Sequence, residues 1–342
     1  MKPNHHNHHY ATNAPPPSQV KSVPLSRIDT TDDTYRITTR TDADDLLVSI
    51  RNEGVLNPPF VIEKAARFII VSGFRRLAAC KKLGLEEIAV RVLEPTLSSL
   101  EYLRLAIADN TFQRPIDLIE TSRSLHKLSV HLNRGANLIE SASSLGLPSN
   151  PSAIEKIKDL CLLPDRIQSA LMADTISLSM AMDLKNLAPE CAVAFAQLFE
   201  EFKLSLNKQR EVMTLVKEIA RRDDISEQMV LEDRQLQDIV HDPNLDRGHK
   251  ARQLRIYLRQ RRFPQIVEAE SRFEYLRKQL DLGNDLKMIP PKDFEGTTYT
   301  VSMSFSSIAQ LNALHAKLNR MITHPGLQKI LERKNNTPII NE

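Results

Sequence analysis

Residues 71–76 read Val-Ser-Gly-Phe-Arg-Arg, and this stretch sets the architecture of the N-terminal region. It ends an apolar run, Phe-Ile-Ile-Val over residues 68–71, and precedes a Leu- and Ala-rich pattern over residues 77–83. An apolar run that stops at Ser-Gly and continues with helical periodicity predicts a strand, a glycine turn and a helix. Arg75 and Arg76 then lie in the first turn of that helix.

The predicted first turn has the features of an anion-binding site. Free backbone N–H groups and the helix dipole favour negative charge at a helix N-terminus. Gly73 lets the backbone approach an anion closely, and Arg75 and Arg76 add forked, permanently charged donors that suit phosphate oxygens. Cations at this end oppose the dipole, which favours a functional reason for them. The alternative is that both arginines are surface charges paired with nearby acids.

The composition predicts a globular, mainly helical protein. Of the 342 residues, 41% are hydrophobic, 26% are charged and 5% are aromatic. A net charge of +3 is too small to indicate nucleic-acid binding by itself. We find no signal-peptide h-region, membrane-length apolar run, P-loop or zinc-spaced Cys/His set, which predicts a cytoplasmic protein without membrane contact. Its widely separated cysteines predict free thiols in a reducing compartment.

The N-terminal third alternates strand-like and helical patterns. Residues 1–18 are polar and rich in His and Pro, which predicts a disordered tail. Residues 19–117 then contain strand-like apolar runs at 60–62 and 68–71 and a strand-like segment at 88–92, beside an amphipathic pattern from Asp42 to Glu53. These patterns predict a compact α+β domain.

The next segment, residues 118–190, is predicted to be helical. A helix starts near Pro115, and two short apolar stripes follow, from Leu138 to Leu145 and from Ile154 to Cys161. The break between them contains Gly and Pro, so the pair fits a helix-turn-helix. The pattern also fits an ordinary helical hairpin, and it favours neither.

Residues 191–282 continue as amphipathic helices and contain a basic stretch, 247–262, that has seven cations and no acid. Three of its arginines share one helix face by spacing, namely Arg252, Arg255 and Arg259. This face is predicted to contact DNA phosphates. The alternative is a solvated face balanced by the acids just downstream, Glu268, Glu270 and Glu274.

The C-terminal residues show a different hydrophobic pattern from the helical segment before them. Residues 283–334 show two strand-like runs and a helix, a ββα unit with little core of its own. Such a unit is predicted to pair with a second copy or to pack on the helices. Residues 335–342 are predicted to be disordered.

A second polar cluster, Asp-Asn-Thr-Phe-Gln-Arg, occupies residues 109–114. Asp109 and Asn110 offer the hard oxygen ligands that suit Mg²⁺ beside phosphates, and Arg114 offers a further phosphate donor. Taken alone, the cluster is better explained as the polar C-terminal end of a helix. Its position after the Gly-x-Arg-Arg box and before the helix-turn-helix favours the functional interpretation.

The motifs of this part of the chain follow in the order Gly54, Pro58-Pro59, Gly-x-Arg-Arg, the Asn110 to Arg114 cluster and a helix-turn-helix. On the order of these motifs, the chain resembles the ParB/Spo0J family of partition proteins over residues 20–188. The resemblance implies a ParB/sulfiredoxin-like fold for the N-terminal domain, which binds CTP and Mg²⁺ in that family. It implies a nucleotide site at Asn57, Pro58, Gly73, Arg75, Arg76, Asn110 and Arg114, with Asp109 and Asn110 on the metal. In the helix-turn-helix it implies DNA contacts from Ser149, Asn150, Ser152 and Lys156.

The resemblance implies a homodimeric clamp that CTP and Mg²⁺ close around DNA in plasmid or chromosome partition, at the nucleoid, with a ParA-type ATPase as a possible partner. Three departures matter. Phe74 replaces an acidic residue of the family box, and Asp109 is shorter than the family's glutamate. Both put hydrolysis in doubt, so any CTP hydrolase activity is expected to be slow. The predicted recognition helix, residues 152–159, has two lysines offset by two acids and no base-reading arginine, so the resemblance implies the fold more strongly than sequence-specific DNA recognition. The alternatives are a nucleotide-independent transcriptional regulator and an ATP-dependent enzyme on the same fold. The second is disfavoured because Cys80 lies outside the phosphate box and Asp109 is the sole candidate base.

Overall fold

The computed structural model describes residues 18–132 and 137–332, and the chain divides into two compact units, Met1–Gln197 and Leu198–Glu342. Each unit is described by itself. The predicted disordered tails, 1–18 and 335–342, lie outside the described residues except for Ser18, which begins the first strand.

The first unit opens with an α+β domain built on one mixed sheet. Within the described residues its strands lie in the order β1-β5-β3-β4-β2, with β1–β5 and β3–β4 antiparallel and β3–β5 and β2–β4 parallel. The elements are β1 (Ser18–Pro24), β2 (Ile28–Asp29), α1 (Asp44–Glu53), β3 (Phe60–Lys64), β4 (Arg67–Ser72), α2 (Phe74–Lys82), β5 (Glu87–Leu93) and α3 (Ser99–Thr111).

The alternation of β4 explains why this sheet has helices on both faces. Phe68 and Ile70 pack with residues of α1 and α2, while Ile69 and Val71 pack in the cluster that contains Leu103 of α3. Successive side chains of a strand point to opposite faces, so an unbroken apolar run serves two cores. The α+β domain predicted from this run is therefore confirmed.

A helical region completes the first unit. The two described short helices α5 (Leu138–Ser144) and α6 (Pro151–Ile157) form the predicted helix-turn-helix pair, and their Ala142 and Ile154 pack with Leu128 in one core. The other elements are α4 (Leu118–His131), a 3-10 turn (Leu160–Leu162), α7 (Asp165–Met172), α8 (Leu178–Lys185) and α9 (Pro189–Glu201), which runs into the second unit.

One predicted helix start differs from the structure. The helix expected to start near Pro115 begins at Leu118, because Asp117 accepts a hydrogen bond from the Glu120 backbone N–H while the Glu120 carboxylate accepts one from the Asp117 N–H. This reciprocal capping box satisfies two orphan donors and so fixes the first turn three residues after the proline.

The second unit is helical until its last third. Its helices are α10 (Leu206–Asp223), α11 (Glu227–Leu231), α12 (Arg234–His241), α13 (Arg247–Arg262) and α14 (Pro264–Gln279). The predicted ββα unit follows as β6 (Leu286–Ile289), β7 (Thr300–Met303) and α15 (Ile308–Thr323), with one further short helix, α16 (Pro325–Leu331). Phe273 and Leu276 of α14 pack with Leu286 and Met288, so the small sheet shares a core with α14.

In the described part of the chain, no helix combines the length and the apolar character that a bilayer crossing requires. Cys80 and Cys191 are buried and Cys161 is half-buried, with no disulfide among them.

Candidate functional site

The turn between β4 and α2 accepts only glycine. Gly73 has a φ of +99°, and a Cβ at this position would lie 2.7 Å from Cβ of Pro59. Both facts exclude a side chain, because a left-handed backbone is strained for other residues and the space is already filled. Among the described residues no side chain caps α2, so its first-turn N–H groups have no such partner. These N–H groups are donors that an anion could use, and anion binding here stays a prediction.

Arg75 points from this turn to the start of α1. Its Nε donates to the Asp42 carbonyl at 2.8 Å, and its Nη2 lies 2.5 Å from Oδ1 of Asp45. The alternative raised by the sequence, pairing with a nearby acid, therefore describes the contacts that Arg75 makes in this structure.

Arg76 joins three segments that are distant in sequence. Its Nη2 lies 3.2 Å from Oδ2 of Asp109 at the end of α3, and its Nη1 donates to the Asn57 carbonyl oxygen. The same Asp109 oxygen accepts a hydrogen bond from Ser72, and the other accepts one from Gln113 at 2.5 Å. The predicted residues Asn57, Arg76 and Asp109 therefore meet beside the first turn of α2.

Arg114 lies in a different environment from the one predicted. Its two terminal nitrogens each lie 2.7 Å from an oxygen of Glu120, whose side chain is fully buried, while Asn110 Oδ1 is 3.4 Å away. Burial by itself would raise the pKa of Glu120, but hydrogen bonds from Arg114 and from the N–H groups of Asp117 and Thr39 outweigh it and lower the pKa to about 2. The Arg114 guanidinium is committed to this ion pair, and its role as a phosphate ligand stays a prediction.

A cavity of about 130 Å³ lies beside the first turn of α2 and brings in residues that the sequence analysis missed. Its lining contains four cations, Arg36, Arg40, Arg75 and Lys81. The Arg36 guanidinium carbon lies 5.5 Å from the ring centroid of Phe74, which also lines the cavity. None of the described lining residues carries a carboxylate. The cavity therefore has the charge and donors of an anion pocket.

One of these missed residues had a signal in the sequence. Lys81 follows Phe74 and Ala78 at helical spacing, so it lies on the same face of α2. Arg36 and Arg40 belong to a polar loop without periodicity, and only the tertiary fold brings them to α2.

The predicted magnesium ligands, Asp109 and Asn110, have oxygen atoms of a suitable kind, but these oxygens already accept hydrogen bonds from other side chains. Both carboxylate oxygens of Asp109 accept hydrogen bonds, and Asn110 donates its Nδ2 to the Ala106 carbonyl at 2.8 Å, which leaves its Oδ1 facing Arg114. Carboxylate and amide oxygens are the donor types that Mg²⁺ takes. Among the described residues, no group of three His, Cys, Asp or Glu side chains is placed to hold a metal ion.

The predicted DNA-contacting residues of the helix-turn-helix lie together at the start of α6. The Asn150 side chain accepts a hydrogen bond from the Ala153 N–H at 3.2 Å and so caps this helix, with Pro151 at its first position. Ile154 is buried and fixes the helix on its core. The predicted residues are all exposed, namely Ser149, Asn150, Ser152 and Lys156.

The basic helix α13 is largely neutralised within its own unit. Arg255 pairs with Glu211 at 2.7 Å, and both terminal nitrogens of Arg259 lie 2.6 Å from Glu270. Of the three predicted phosphate contacts, Arg252 is exposed and forms no ion pair with a described residue. The structure thus separates Arg252 from the other two.

The N-terminal part of the chain is similar to proteins of known family. Residues 11–111 match the model of the ParB N-terminal domain. The chain is 31% identical over 179 residues to the probable chromosome 1-partitioning protein ParB of Deinococcus radiodurans, covering 52% of this chain and 59% of that protein. It is 27% identical over 208 residues to the probable plasmid-partitioning protein ParB of Thermus thermophilus, covering 52% and 68%. The chain thus spans about three-fifths of the Deinococcus relative.

One similar solved structure is the C-terminally truncated chromosome-partitioning protein ParB from Caulobacter crescentus, complexed with CTP-gamma-S. Its sequence is 28% identical to this chain, and the match covers 54% of this chain and 99% of that chain. The TM-score of 0.25 is low. The assignment of the N-terminal domain therefore rests on the family model and on the sequence relatives.

Proposed function

We propose that this chain, whose residues 11–111 match the ParB N-terminal domain family, is a ParB-like partition protein that binds DNA as a dimer and closes around it when CTP and Mg²⁺ bind. One observation carries the proposal. Arg76, Asp109 and Asn57 converge beside an uncapped helix N-terminus, next to a cavity lined by four cations. Such a site suits a nucleoside triphosphate better than a neutral ligand.

In this proposal, Arg75, Arg76 and the first N–H groups of α2 hold the phosphates, and the cavity cations Arg36, Arg40 and Lys81 add positive charge. Asn57 and Pro58 lie near the base, and Asn110 and Arg114 act from the end of α3. Asp109 and Asn110 hold Mg²⁺, which supplies neutralisation of the phosphate charge. The phosphates replace Asp45 and Asp109 as partners of the two arginines.

That exchange of partners explains how nucleotide binding at α2 would act on the DNA-binding helices. Asp109 ends α3, and the Arg114–Glu120 ion pair connects the segment after α3 to the first turn of α4. Helix α4 packs in turn against the helix-turn-helix. A ligand that draws Arg76 away from Asp109 therefore acts on the segment that carries the DNA-binding helices, and its differential affinity shifts the open–closed equilibrium.

The remaining parts of the proposal concern partners. The exposed end of α6 and Arg252 contact DNA, the C-terminal β6–β7 unit pairs two copies of the chain, and a ParA-type ATPase acts on the complex. A DNA-bound partition protein works in the cytoplasm, at the nucleoid. We expect any hydrolysis of CTP to be slow, because the candidate base Asp109 is assigned to Mg²⁺ and none of the described residues lining the cavity carries another carboxylate.

A second candidate is a DNA-binding regulator that no nucleotide controls. Two observations favour it: both arginines of the box already have carboxylate partners, and the Phe74 ring packs under Arg36 where the family's box has an acid. In this case the box holds α1 and α3 against α2, and DNA affinity is indifferent to CTP.

Calorimetric titration of the full chain with CTP, ATP and GTP, with and without Mg²⁺, distinguishes these functions. We expect selective, Mg²⁺-dependent binding of CTP that is lost in Arg76→Ala. Arg67→Ala is the matched control, because this exposed arginine lies at the far end of β4 and pairs with Asp29 at 3.5 Å. Preference for ATP would favour an enzyme, and no nucleotide binding, even with DNA present, would leave the plain regulator.

A further inference from the structure

The first unit contains a second, larger cavity, most of whose lining residues lie outside the proposed nucleotide site. Its volume is about 460 Å³, and it lies between the loop that follows β2 and the outer face of α4, beside the Leu160–Leu162 turn. The polar groups that line it include Asp33, Arg36, Thr39, Arg123, His126 and Lys127. Only Arg36 and Thr41 also line the smaller cavity.

Two cations of this cavity stand one helical turn apart on α4 without a carboxylate partner among the described residues. Arg123 donates to the Thr38 carbonyl at 3.0 Å, and Lys127 donates to the Asp33 and Thr34 carbonyls at 2.7 and 2.6 Å. Like charges four residues apart repel each other. Burial lowers the pKa of Lys127, because the charged amine loses water there without gaining a paired counter-ion.

A third cation of the cavity has an unused donor. The Nε of Arg36 is buried and has no hydrogen-bond partner among the described residues. Its Nη1 lies 3.2 Å from Asp33, whose side chain is 62% exposed, so this pair neutralises little charge. His126 faces Asp159 at 3.4 Å rather than a group of the cavity lining. The cavity therefore carries three cations against the single exposed carboxylate of Asp33.

We propose that this cavity is a second phosphate-binding site, with Arg123 and Lys127 as ligands of its own and Arg36 shared with the site at α2. Arginine and lysine donors converging on a concave space suit phosphate oxygens, and a cavity of about 460 Å³ has room for more than one phosphate group. A bound phosphate would supply the missing counter-charge and would tie the loop after β2 to α4. The proposal does not depend on nucleotide binding at α2.

Titration of the full chain with inorganic pyrophosphate tests the proposal. The comparison is made in an Arg75→Gln background, because this change weakens phosphate binding at α2 and the remaining binding then reports the larger cavity. In that background, adding Arg123→Gln/Lys127→Gln should weaken binding by at least about tenfold. Adding Arg67→Gln, which changes an exposed arginine outside both cavity linings, should leave it unaltered. Arg36 is kept in both variants, because it lines both cavities. If the double variant does not fold by circular dichroism, Lys127→Met takes its place, since it removes the charge and keeps the apolar stem.

The phosphate has two possible sources, a free ligand or the DNA backbone, and a second measurement separates them. If the ligand is a free phosphate compound, the double variant weakens pyrophosphate binding and leaves the salt dependence of DNA binding unchanged. For the DNA backbone, the slope of log K against log salt falls by about 2 in the double variant, because two phosphate contacts are lost. Unchanged pyrophosphate affinity together with an unchanged slope would overturn the proposal, as would an equal loss in Arg67→Gln.

Discussion

At the scale of single residues, Glu120 differs from what its sequence position suggests, because an acid in the first turn of a helix is ordinarily exposed to solvent. It is fully buried, paired with Arg114 and bonded to the backbone N–H groups of Asp117 and Thr39. The lowering of its pKa from the ordinary 4.5 to about 2 corresponds to about 3 kcal/mol of folding free energy at neutral pH. A residue in the first turn of a helix thus anchors the loop before α1 and the segment after α3.

We predict that Glu120→Gln lowers the free energy of unfolding by about 3 kcal/mol at pH 7, because it leaves the Arg114 charge without its partner. The pKa is lowered by folding, so this stability is fully present above about pH 4.5 and is lost as the pH falls toward about 2. Urea unfolding at several pH values measures both effects. Exposed Glu155→Gln is the control, and the prediction fails if wild type and Glu120→Gln lose stability in parallel below pH 4.5.

A second residue-scale prediction concerns Gly73. Gly73→Ala places a Cβ 2.7 Å from Cβ of Pro59 at a φ of +99°, so both contact and conformation are unfavourable. Gly84→Ala is the matched control, because Gly84 has a φ of +70° with nothing within 4 Å of its Cβ position. Thermal melts should show a loss of about 1–2 kcal/mol for Gly84→Ala and a clearly larger loss for Gly73→Ala. Equal losses would mean that Pro59 moves freely aside.

At the scale of elements, α13 shows how a basic stretch becomes structural. Arg255 and Arg259 have acids on α10 and α14, and Arg261 lies 3.2 and 3.1 Å from Asp223 and Asp233. The Tyr257 hydroxyl donates to Asp233 at 2.5 Å, and burial together with this carboxylate raises the pKa of Tyr257 to about 12. Most of the cationic stretch therefore joins helices of the second unit, and only part of it is available to DNA.

We predict that single substitutions on α13 separate these roles. Arg252→Gln should reduce the slope of log K against log salt for DNA binding by about 1, because an exposed cation that contacts a phosphate is removed. Arg255→Gln and Arg259→Gln should leave the slope unchanged and lower stability by up to about 1 kcal/mol each, as half-exposed ion pairs do. Fluorescence anisotropy at several salt concentrations measures the slope. Equal slopes in all three variants would return α13 to the solvated-face interpretation.

At the scale of the whole molecule, the C-terminal sheet is incomplete by itself. β6 and β7 pair antiparallel with Met288 opposite Val301 and Leu286 opposite Met303, so these four side chains share one face. The two on β6 are buried, while Val301 and Met303 are each 38% exposed and Phe305 is 55% exposed. A two-stranded sheet is marginal alone and leaves open edges, so a second copy is the occupant we propose for this surface.

If the protein is the dimer we propose, Val301→Lys should convert it to a monomer without unfolding the protomer, because the side chain is already partly exposed. Ser302→Lys, on the opposite face of the same strand, should leave the dimer intact. Light scattering after gel filtration gives the mass of each variant, and circular dichroism verifies the fold. If Val301→Lys remains dimeric, the pairing surface lies elsewhere in the molecule.

The order and type of the elements near the candidate site can be predicted from the sequence alone. The apolar run into Gly73 predicts β4 and α2, and the apolar stripes around residues 146–151 predict two short helices joined by a turn, as in a helix-turn-helix or a helical hairpin. These elements follow from local rules, since periodicity, turn residues and caps act over a few positions of the chain. The Gly-x-Arg-Arg box indicates Arg76, whereas the site roles of Asn57 and Asp109 rest on the resemblance to the ParB/Spo0J family. The structure brings these three residues together.

Which charges meet depends instead on the tertiary fold. Nothing in the local pattern distinguishes Arg252, which stays exposed, from Arg255, which reaches Glu211 from 44 positions away. In the same way, Arg36 enters both cavities from a loop without periodicity, and Arg114 turns to Glu120. Periodicity specifies the face of an element that is buried, whereas the partner of a charge depends on how the elements pack in space.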